Sequence, residues 1–403
     1  MELPLKNFGD LCHFVRGPFG GSLKKDLFKE SGFAIYEQQH AINNQFSNIR
    51  YFIDDKKFSE MKRFELKPND LIMSCSGTMG KIAIVPNNIK RGIINQALLK
   101  LTPSNDLNKY YLLYWMKSED FQESIAKYSK GAAIKNVASV KVLKQIEMPF
   151  PKIEQQKQIV KILDKSFETI EKAKTNIEKN LQNTKELFAS KLNEIFSQKG
   201  DGWEEKTLGE VCLMIKRGIP PKYTENEGLV VINQKCIRNH KVNLELSRLH
   251  DTNLKSVTDE KLIKIGDVLI NSTGTGTLGR IAQVRDIKLK NCTVDTHVTI
   301  VRPDSNLFHL DFFGYALIKI ESEIEKSGEG ASGQTELART KLENNFNINY
   351  PKCHNKQKEI VLILDSLTLS SKQLEQKYQQ KLNNLEELKK SILQKAFSGE
   401  LLK

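Results

Sequence analysis

Lys67-Pro68-Asn69-Asp70-Leu71-Ile72-Met73-Ser74-Cys75-Ser76-Gly77-Thr78-Met79-Gly80-Lys81-Ile82-Ala83 decides how this chain is read, because it occurs twice. Its second statement is Lys264-Ile265-Gly266-Asp267-Val268-Leu269-Ile270-Asn271-Ser272-Thr273-Gly274-Thr275-Gly276-Thr277-Leu278-Gly279-Arg280-Ile281-Ala282, two residues longer in the loop. In each, a short apolar run ends in a glycine-bearing loop and a second apolar run follows. In the first copy that second run, Ile82-Ala83-Ile84-Val85, is stopped by Pro86-Asn87-Asn88. Apolar runs of this length between turn signals are strands, so the stretch reads strand, Gly loop, strand.

Working outward, the duplication extends over the whole chain. Lys6-Asn7-Phe8-Gly9-Asp10-Leu11-Cys12 faces Lys206-Thr207-Leu208-Gly209-Glu210-Val211-Cys212, and Arg16-Gly17 faces Arg217-Gly218. Near the end of each half Pro151-Lys152 faces Pro351-Lys352, and Gln156-Lys157-Gln158-Ile159-Val160 faces Gln357-Lys358-Glu359-Ile360-Val361. Self-similarity at a fixed offset means one structural unit used twice. The halves diverge at residues 26–66 and 225–262, so two related frames carry different surfaces.

The hydrophobic period changes within each half. Residues 109–127, with Tyr111-Leu112-Leu113-Tyr114-Trp115-Met116, predict a helix beside the strands, giving an α/β or α+β domain with a mixed sheet. From residue 154 to 196 there is no Gly or Pro, and apolar residues recur in steps of three and four, from Leu163 and Phe167 to Leu192 and Ile195. That is one long amphipathic helix. The second half repeats it after Pro351, through Ile360, Leu364 and Leu367 to Leu388 and Ile392, stopping near Gly399. At 1.5 Å per residue each helix is about 60 Å long, more than one small domain covers. The two are expected to pair as an antiparallel coiled coil, with Thr184 and Ser371 interrupting the apolar stripe. The expected division is residues 1–150 and 200–350 as globular domains, each followed by a long helix at 151–199 and 351–403.

Composition agrees with a folded, multidomain chain. Its 403 residues exceed what one core serves, and 39% hydrophobic with 28% charged residues is typical of globular proteins. No apolar stretch approaches the roughly 20 residues of a membrane span, and Met1-Glu2-Leu3 lacks the start of a signal peptide, so the expected location is the cytoplasm. The six cysteines lie far apart and read as reduced thiols, and the seven histidines show no metal-ligand spacing. A formal charge of +13 favours a polyanionic partner, since cations that neutralise phosphates release condensed counterions.

The order domain, helix, domain, helix, with the duplicated motifs, resembles the specificity subunit of Type I restriction-modification systems. The resemblance covers essentially the whole chain. It is carried by Trp203-Glu204-Glu205-Lys206-Thr207-Leu208-Gly209-Glu210-Val211, by the loop at residues 76–81, by Gly333-Gln334-Thr335-Glu336-Leu337 ahead of Ile348-Asn349-Tyr350-Pro351, and by Ser391-Ile392-Leu393-Gln394-Lys395-Ala396-Phe397-Ser398-Gly399-Glu400-Leu401. The first half departs from it, with Ala132-Ala133-Ile134-Lys135-Asn136-Val137 where the second has Ser332-Gly333-Gln334-Thr335-Glu336-Leu337. The resemblance implies that each globular domain is a target-recognition domain reading one half of a bipartite site in double-stranded DNA. It implies that the helices fix the gap and dock two methyltransferase subunits. Restriction subunits would join them, with S-adenosylmethionine, ATP and Mg held by the partners and no cofactor by this chain.

Residue chemistry supplies candidates for such contacts. Backbone N–H groups and hydroxyls of the Gly loops suit phosphates: Ser76, Thr78 and Lys81 in the first, Thr275, Thr277 and Arg280 in the second. The same loops equally suit a glycine hairpin required by backbone geometry alone. Side chains with paired donors and acceptors read base edges. Those in or near the divergent stretches are Gln38, Gln39, His40, Asn43, Asn44, Asn95 and Gln96, then Gln234, Lys235, Arg238, Asn239 and His297. Arg16, Lys24, Lys25, Arg217, Lys222 and Tyr223 are candidates for backbone contact. Catalytic residues are not found. Pro220-Pro221-Lys222-Tyr223 and Met148-Pro149-Phe150-Pro151 only superficially resemble the Asp/Asn-Pro-Pro-Tyr motif of adenine methyltransferases, and neither has an acid or amide directly before Pro-Pro-aromatic. Two other readings fit the same residues: a self-sufficient Type IIG-like enzyme chain, and a coiled-coil adaptor that binds no nucleic acid.

Overall fold

The computed structural model of the chain describes residues 3–127, 139–198, 200–289, 291–329 and 335–402. The chain forms two compact units, Met1–Glu178 with Gln379–Lys403, and Lys179–Tyr378. Each long helix, Ile153–Phe196 and His354–Phe397, therefore gives one part to each unit.

In the first unit a four-stranded antiparallel sheet has the order Cys12–Arg16, Leu98–Pro103, Leu71–Ser74, Ile82–Ile84. A smaller sheet pairs Phe33–Tyr36 parallel to Gly92–Ile94 and antiparallel to Phe52–Ile53. The second unit repeats the first sheet with Cys212–Arg217, Val298–Pro303, Val268–Asn271 and Ile281–Gln283. It also repeats the parallel pair, with Leu229–Ile232 beside Thr293–Val294. A two-stranded clasp closes each unit, Leu5–Asn7 on Glu147–Pro149 and Trp203–Thr207 on Asn347–Pro351. The mixed α/β character and the strand, Gly loop, strand reading of both duplicated stretches are thus present in the fold.

The matched motifs have structural causes. Asp70 and Asp267 are buried, and each accepts the backbone N–H three residues before it, from Lys67 at 2.9 Å and Lys264 at 2.7 Å. The tight turn that brings the carboxylate back needs a left-handed residue, supplied by Asn69 at φ 73° and Gly266 at φ 92°. Gln156 and Gln357 are wholly buried at the start of the long helices. Gln156 accepts from Asn108 N at 2.8 Å and donates to the carbonyls of Asp106 and Pro151 at 3.1 and 2.9 Å. Gln357 does the same with His309 N, Leu307 O and Pro351 O at 2.7, 2.9 and 2.8 Å. One amide thereby satisfies three backbone groups that burial would otherwise leave unpaired.

The long helices pack antiparallel. In the first unit Glu171 pairs with Lys389 at 3.3 Å and Lys174 with Glu386 at 3.5 Å, one sequence rising as the other falls. Such exposed pairs contribute about 0–1 kcal/mol each, so apolar burial carries the packing. Ile159, Leu163, Leu393, Ala396 and Phe397 belong to the first unit's core, where the Phe397 ring lies 5.3 Å from Tyr111. Leu192, Ile195, Phe196, Ile360, Val361 and Leu364 belong to the second unit's core. Thr184 is buried on the stripe, and its hydroxyl donates to the carbonyl of Asn180 at 2.8 Å, a local bond that lets a polar residue sit there.

One expected element differs. The helix expected over residues 109–127 is two, Lys109–Lys117 and Glu119–Lys127. Ser118 separates them in extended conformation, donating its hydroxyl to Trp115 O at 2.6 Å. Serine competes for backbone partners in this way and so breaks helices at their ends. The segment 132–137 lies outside the described residues, as do Ser332, Gly333 and Gln334. Among the described residues no helix is long and apolar enough to cross a membrane.

Candidate nucleic-acid interface

Three loops meet at one end of the first unit's main sheet. A Cβ on Gly17 would lie 1.8 Å from the carbonyl oxygen of Asn95, so only glycine lets the Arg16-Gly17 turn approach the Asn95-Gln96 turn. Gly17 N donates to Leu98 O at 2.9 Å, and Cys75 N donates to Ala97 O at 2.8 Å, drawing in the Gly loop. Inside that loop the Ser74 hydroxyl donates to Thr78 O at 2.6 Å and accepts from Lys81 N at 3.0 Å, while Gly77 and Gly80 take φ of 64° and 72°. The polar bonds close the loop on itself and leave the side chains of Thr78 and Lys81 exposed. Arg16, Ser76, Thr78, Lys81, Asn95 and Gln96 are therefore brought together. Beneath them burial pushes the Cys75 thiol up to about 11, with Arg16 pulling the other way, so this cysteine is a protonated floor of the site.

The second unit builds the same convergence. A Cβ on Gly218 would lie 1.9 Å from Val294 O, and Ser272 N donates to His297 O at 2.8 Å. The Thr273 hydroxyl meets His297 Nδ1 at 2.7 Å, and Thr277 donates to Gln234 Oε1 at 3.2 Å. Asp295 beside them is held above the usual carboxylate range by burial, against the pull of the His297 backbone N–H. Thr275, Thr277, Arg280, Gln234 and His297 are thus neighbours on one rim. Two cations among the candidates are also engaged within the protein. Arg217 pairs with Glu336 at 2.6 Å and donates to Leu337 O at 2.9 Å, so its guanidinium holds the stretch from Thr335 to Leu337 against the Gly loop. Arg280 donates to Gly276 O at 2.7 Å within its own loop.

The divergent stretches place different elements beside these rims. In the first unit the helix Gln38–Asn43 packs on Leu71–Ser74 and Ile82–Ile84. His40 is not an available base reader: it is buried, its Nδ1 meets the backbone of Glu37 and its Nε2 the carbonyl of Asn48, both within 3.0 Å. The ring anchors the helix, which leaves Asn43 and Asn44 exposed at its end, with Asn44 left-handed at φ 49°. Gln38 and Gln39 are half-buried, and Gln39 donates to Glu37 at 3.4 Å. In the second unit the place is taken by a hairpin, Ile237–Arg238 paired with Lys241–Val242, packed on Ile281–Gln283. Its tip, Asn239 and His240, is left-handed at φ 50° and 56°, the geometry of a two-residue hairpin turn. His240 Nε2 meets Glu321 at 2.8 Å, and Arg238, Asn239, Arg280 and Glu321 line a cavity of about 450 Å³. Lys235 is exposed at the foot of the hairpin.

The remaining candidates lie apart from the rims in sequence and are exposed. Lys24 and Lys25 open a short turn, and Lys222 and Tyr223 open a strand where the Arg248 guanidinium covers the Tyr223 ring at 3.4 Å. Sequence reading missed two features, Arg248 on that ring and the exposure of Phe19 beyond Arg16-Gly17. A phenylalanine followed by two glycines was the available signal for the second. Among the described residues no group of His, Cys, Asp and Glu is placed to hold a metal ion.

A family model described as the Type I restriction modification DNA specificity domain matches residues 5–181 and 200–384. Among curated proteins of Methanocaldococcus jannaschii, the chain is 32% identical over 180 residues to the type I restriction enzyme MjaVIII specificity subunit, 41% of this chain and 40% of that one. It is 29% identical over 208 residues to a protein described as the MjaX specificity subunit, covering 48% of it, so the chain spans about half the length of these curated relatives or less. It is similar in fold, at 19% identity and TM-score 0.62, to the HsdS subunit of Thermoanaerobacter tengcongensis, across 99% of this chain and 97% of that one. A chain solved for the complex assembly and conformational transition of the type I R-M system aligns at TM-score 0.76 and 19% identity, over 98% and 99%.

Proposed function

The chain belongs to the type I restriction modification DNA specificity family, and from that premise we propose that it is the sequence-reading subunit of a DNA modification complex and performs no chemical step itself. The observation that carries this is the pairing of two matched frames with two unmatched, exposed, polar rims. Each rim reads one half of a split target in double-stranded DNA. Lys24, Lys25, Lys81, Lys222 and Lys235 neutralise phosphates and set the register, while amides and Arg238 compete for base edges. Base flipping and methyl transfer fall to two methyltransferase subunits that bring S-adenosylmethionine, and cleavage to restriction subunits that bring ATP and Mg, all acting in the cytoplasm. The long helices offer these partners apolar side chains that the chain itself leaves exposed, Leu187, Leu362, Ile363 and Leu369.

The test is to assemble the chain with its methyltransferase subunits and map methylated adenines across a genome. Exchanging residues 1–150 for a divergent domain should change one half of the split motif and leave the other. An unchanged motif defeats the proposal. Purified chain mixed with labelled S-adenosylmethionine and DNA should transfer no methyl group, whereas transfer without a partner would favour a self-sufficient enzyme.

A further inference from the structure

Phe19 is the most exposed large apolar side chain among the described residues, at 92% of its surface. It does not hang from a loose segment. Gly17 is locked against the Asn95 carbonyl, Pro18 is buried, and Ser22 N donates to Phe19 O at 2.8 Å, closing the turn behind the ring. The neighbours leave room around it: Gly20 and Gly21 follow, and a Cβ built on Gly21 would meet nothing within 4 Å. Residues 11–25 carry Arg16, Lys24 and Lys25 and no carboxylate. Gly17, two residues before Phe19, abuts the Asn95 carbonyl of the rim.

A surface for an apolar protein partner would gather several such side chains into a patch. A single ring on a rigid turn, set among glycines, hydroxyls and cations, instead fits a partner that is flat and apolar in the middle and anionic at the edges. We propose that Phe19 inserts at a base step of the duplex in the half-site read by the first unit, unstacking it while Lys24 and Lys25 hold the flanking phosphates. This rests on the DNA-reading role proposed above. The matched position of the second unit, after Arg217-Gly218-Ile219, is the exposed Pro220, which has no aromatic face. The stacking signature therefore belongs to one half-site only.

The test uses the full chain assembled with its methyltransferase subunits, and duplexes carrying the mapped split motif with 2-aminopurine at successive positions. Beside the adenine that a methyltransferase subunit flips in each half-site, wild type should brighten one further position in the first half-site and no further position in the second. Phe19→Ala should lose that signal and bind about 5- to 150-fold more weakly, the range for one lost base stack. Its slope of log affinity against log salt and its unfolding midpoint should stay unchanged, because no phosphate contact or core side chain is removed. Phe19→Trp should retain binding and show tryptophan emission quenched by the duplex. Wild-type affinity in Phe19→Ala, or an unaltered 2-aminopurine pattern, overturns the insertion alone. Failure of the wild-type assembly to bind any split motif overturns the DNA-reading role and the insertion with it.

Discussion

The helix Gln38–Asn43 and the hairpin Ile237–Val242 follow equivalent strands and pack on equivalent sheets, yet share neither secondary structure nor exposed chemistry. At the start of the long helices, by contrast, Gln156 and Gln357 make the same three bonds in the same geometry. The contrast separates two kinds of position. Where the halves agree, a side chain satisfies buried backbone or a glycine permits a close approach. Where they disagree, each element is anchored by its own buried residues, such as Ala41 on the first sheet and Ile237 on the second, and what differs on the rim is exposed.

That division can be broken most forcefully at the matched positions. Gln156→Leu and Gln357→Leu keep the volume but strand an N–H and two carbonyls each, at about 1–3 kcal/mol per buried unpaired group. Each should lower the urea midpoint of its own unit by the equivalent of about 3 kcal/mol or more. If one variant is neutral, the shared motif is not a shared structural need. At the unmatched positions Arg238→Ala and Asn239→Gly, the latter keeping the left-handed turn at φ 50° permissible, should leave unfolding unchanged. They should relax the methylated motif at one position of the second half-site, at about 1–3 kcal/mol of discrimination, with the first half-site intact. Relaxation in both halves would remove the contrast between frame and rim.

The smallest expected effect concerns the clasp of the second unit, Trp203–Thr207 on Asn347–Pro351. Glu204 is held down to about 2 by bonds from Lys352, Tyr350 and Lys206. A carboxylate depressed in the folded state stabilises above its ordinary value near 4.5, and that contribution fades as pH falls from there towards 2. Glu204→Gln should flatten this part of the acid-stability curve measured by circular dichroism, slightly, since the group is half-buried and reached by solvent. A curve identical to wild type would show the cluster to be inert.

Much of this architecture was legible because it is written in long or repeated patterns. Two glycine-free amphipathic stretches and a duplicated strand, loop, strand motif survive local ambiguity. Short, tertiary-dependent choices were not legible. Ser118 divides a continuous apolar pattern through one side-chain bond, and no periodicity reports it. His40 looks like a polar surface residue until Tyr36 and Phe46 close around it. The Asn239-His240 turn lies within a divergent stretch, where no second copy marks it. Arg217 was assigned to DNA on residue type, and its ion pair with Glu336, 119 positions later in the numbering, depends on a fold that sequence spacing does not display.

The C-terminal packing of Leu393, Ala396 and Phe397 in the first unit has a consequence for synthesis. Chains emerge from the ribosome in order, and N-terminal domains ordinarily finish first. Here the last wall of the first unit is translated after the whole of Lys179–Tyr378. At 5–20 residues per second those 200 residues take roughly 10–40 s, during which Tyr111 and its neighbours wait without a cover. The second unit, continuous in sequence, is complete before the first. A nascent chain of this protein thus exposes an unfinished apolar face until residues 393–397 have been made.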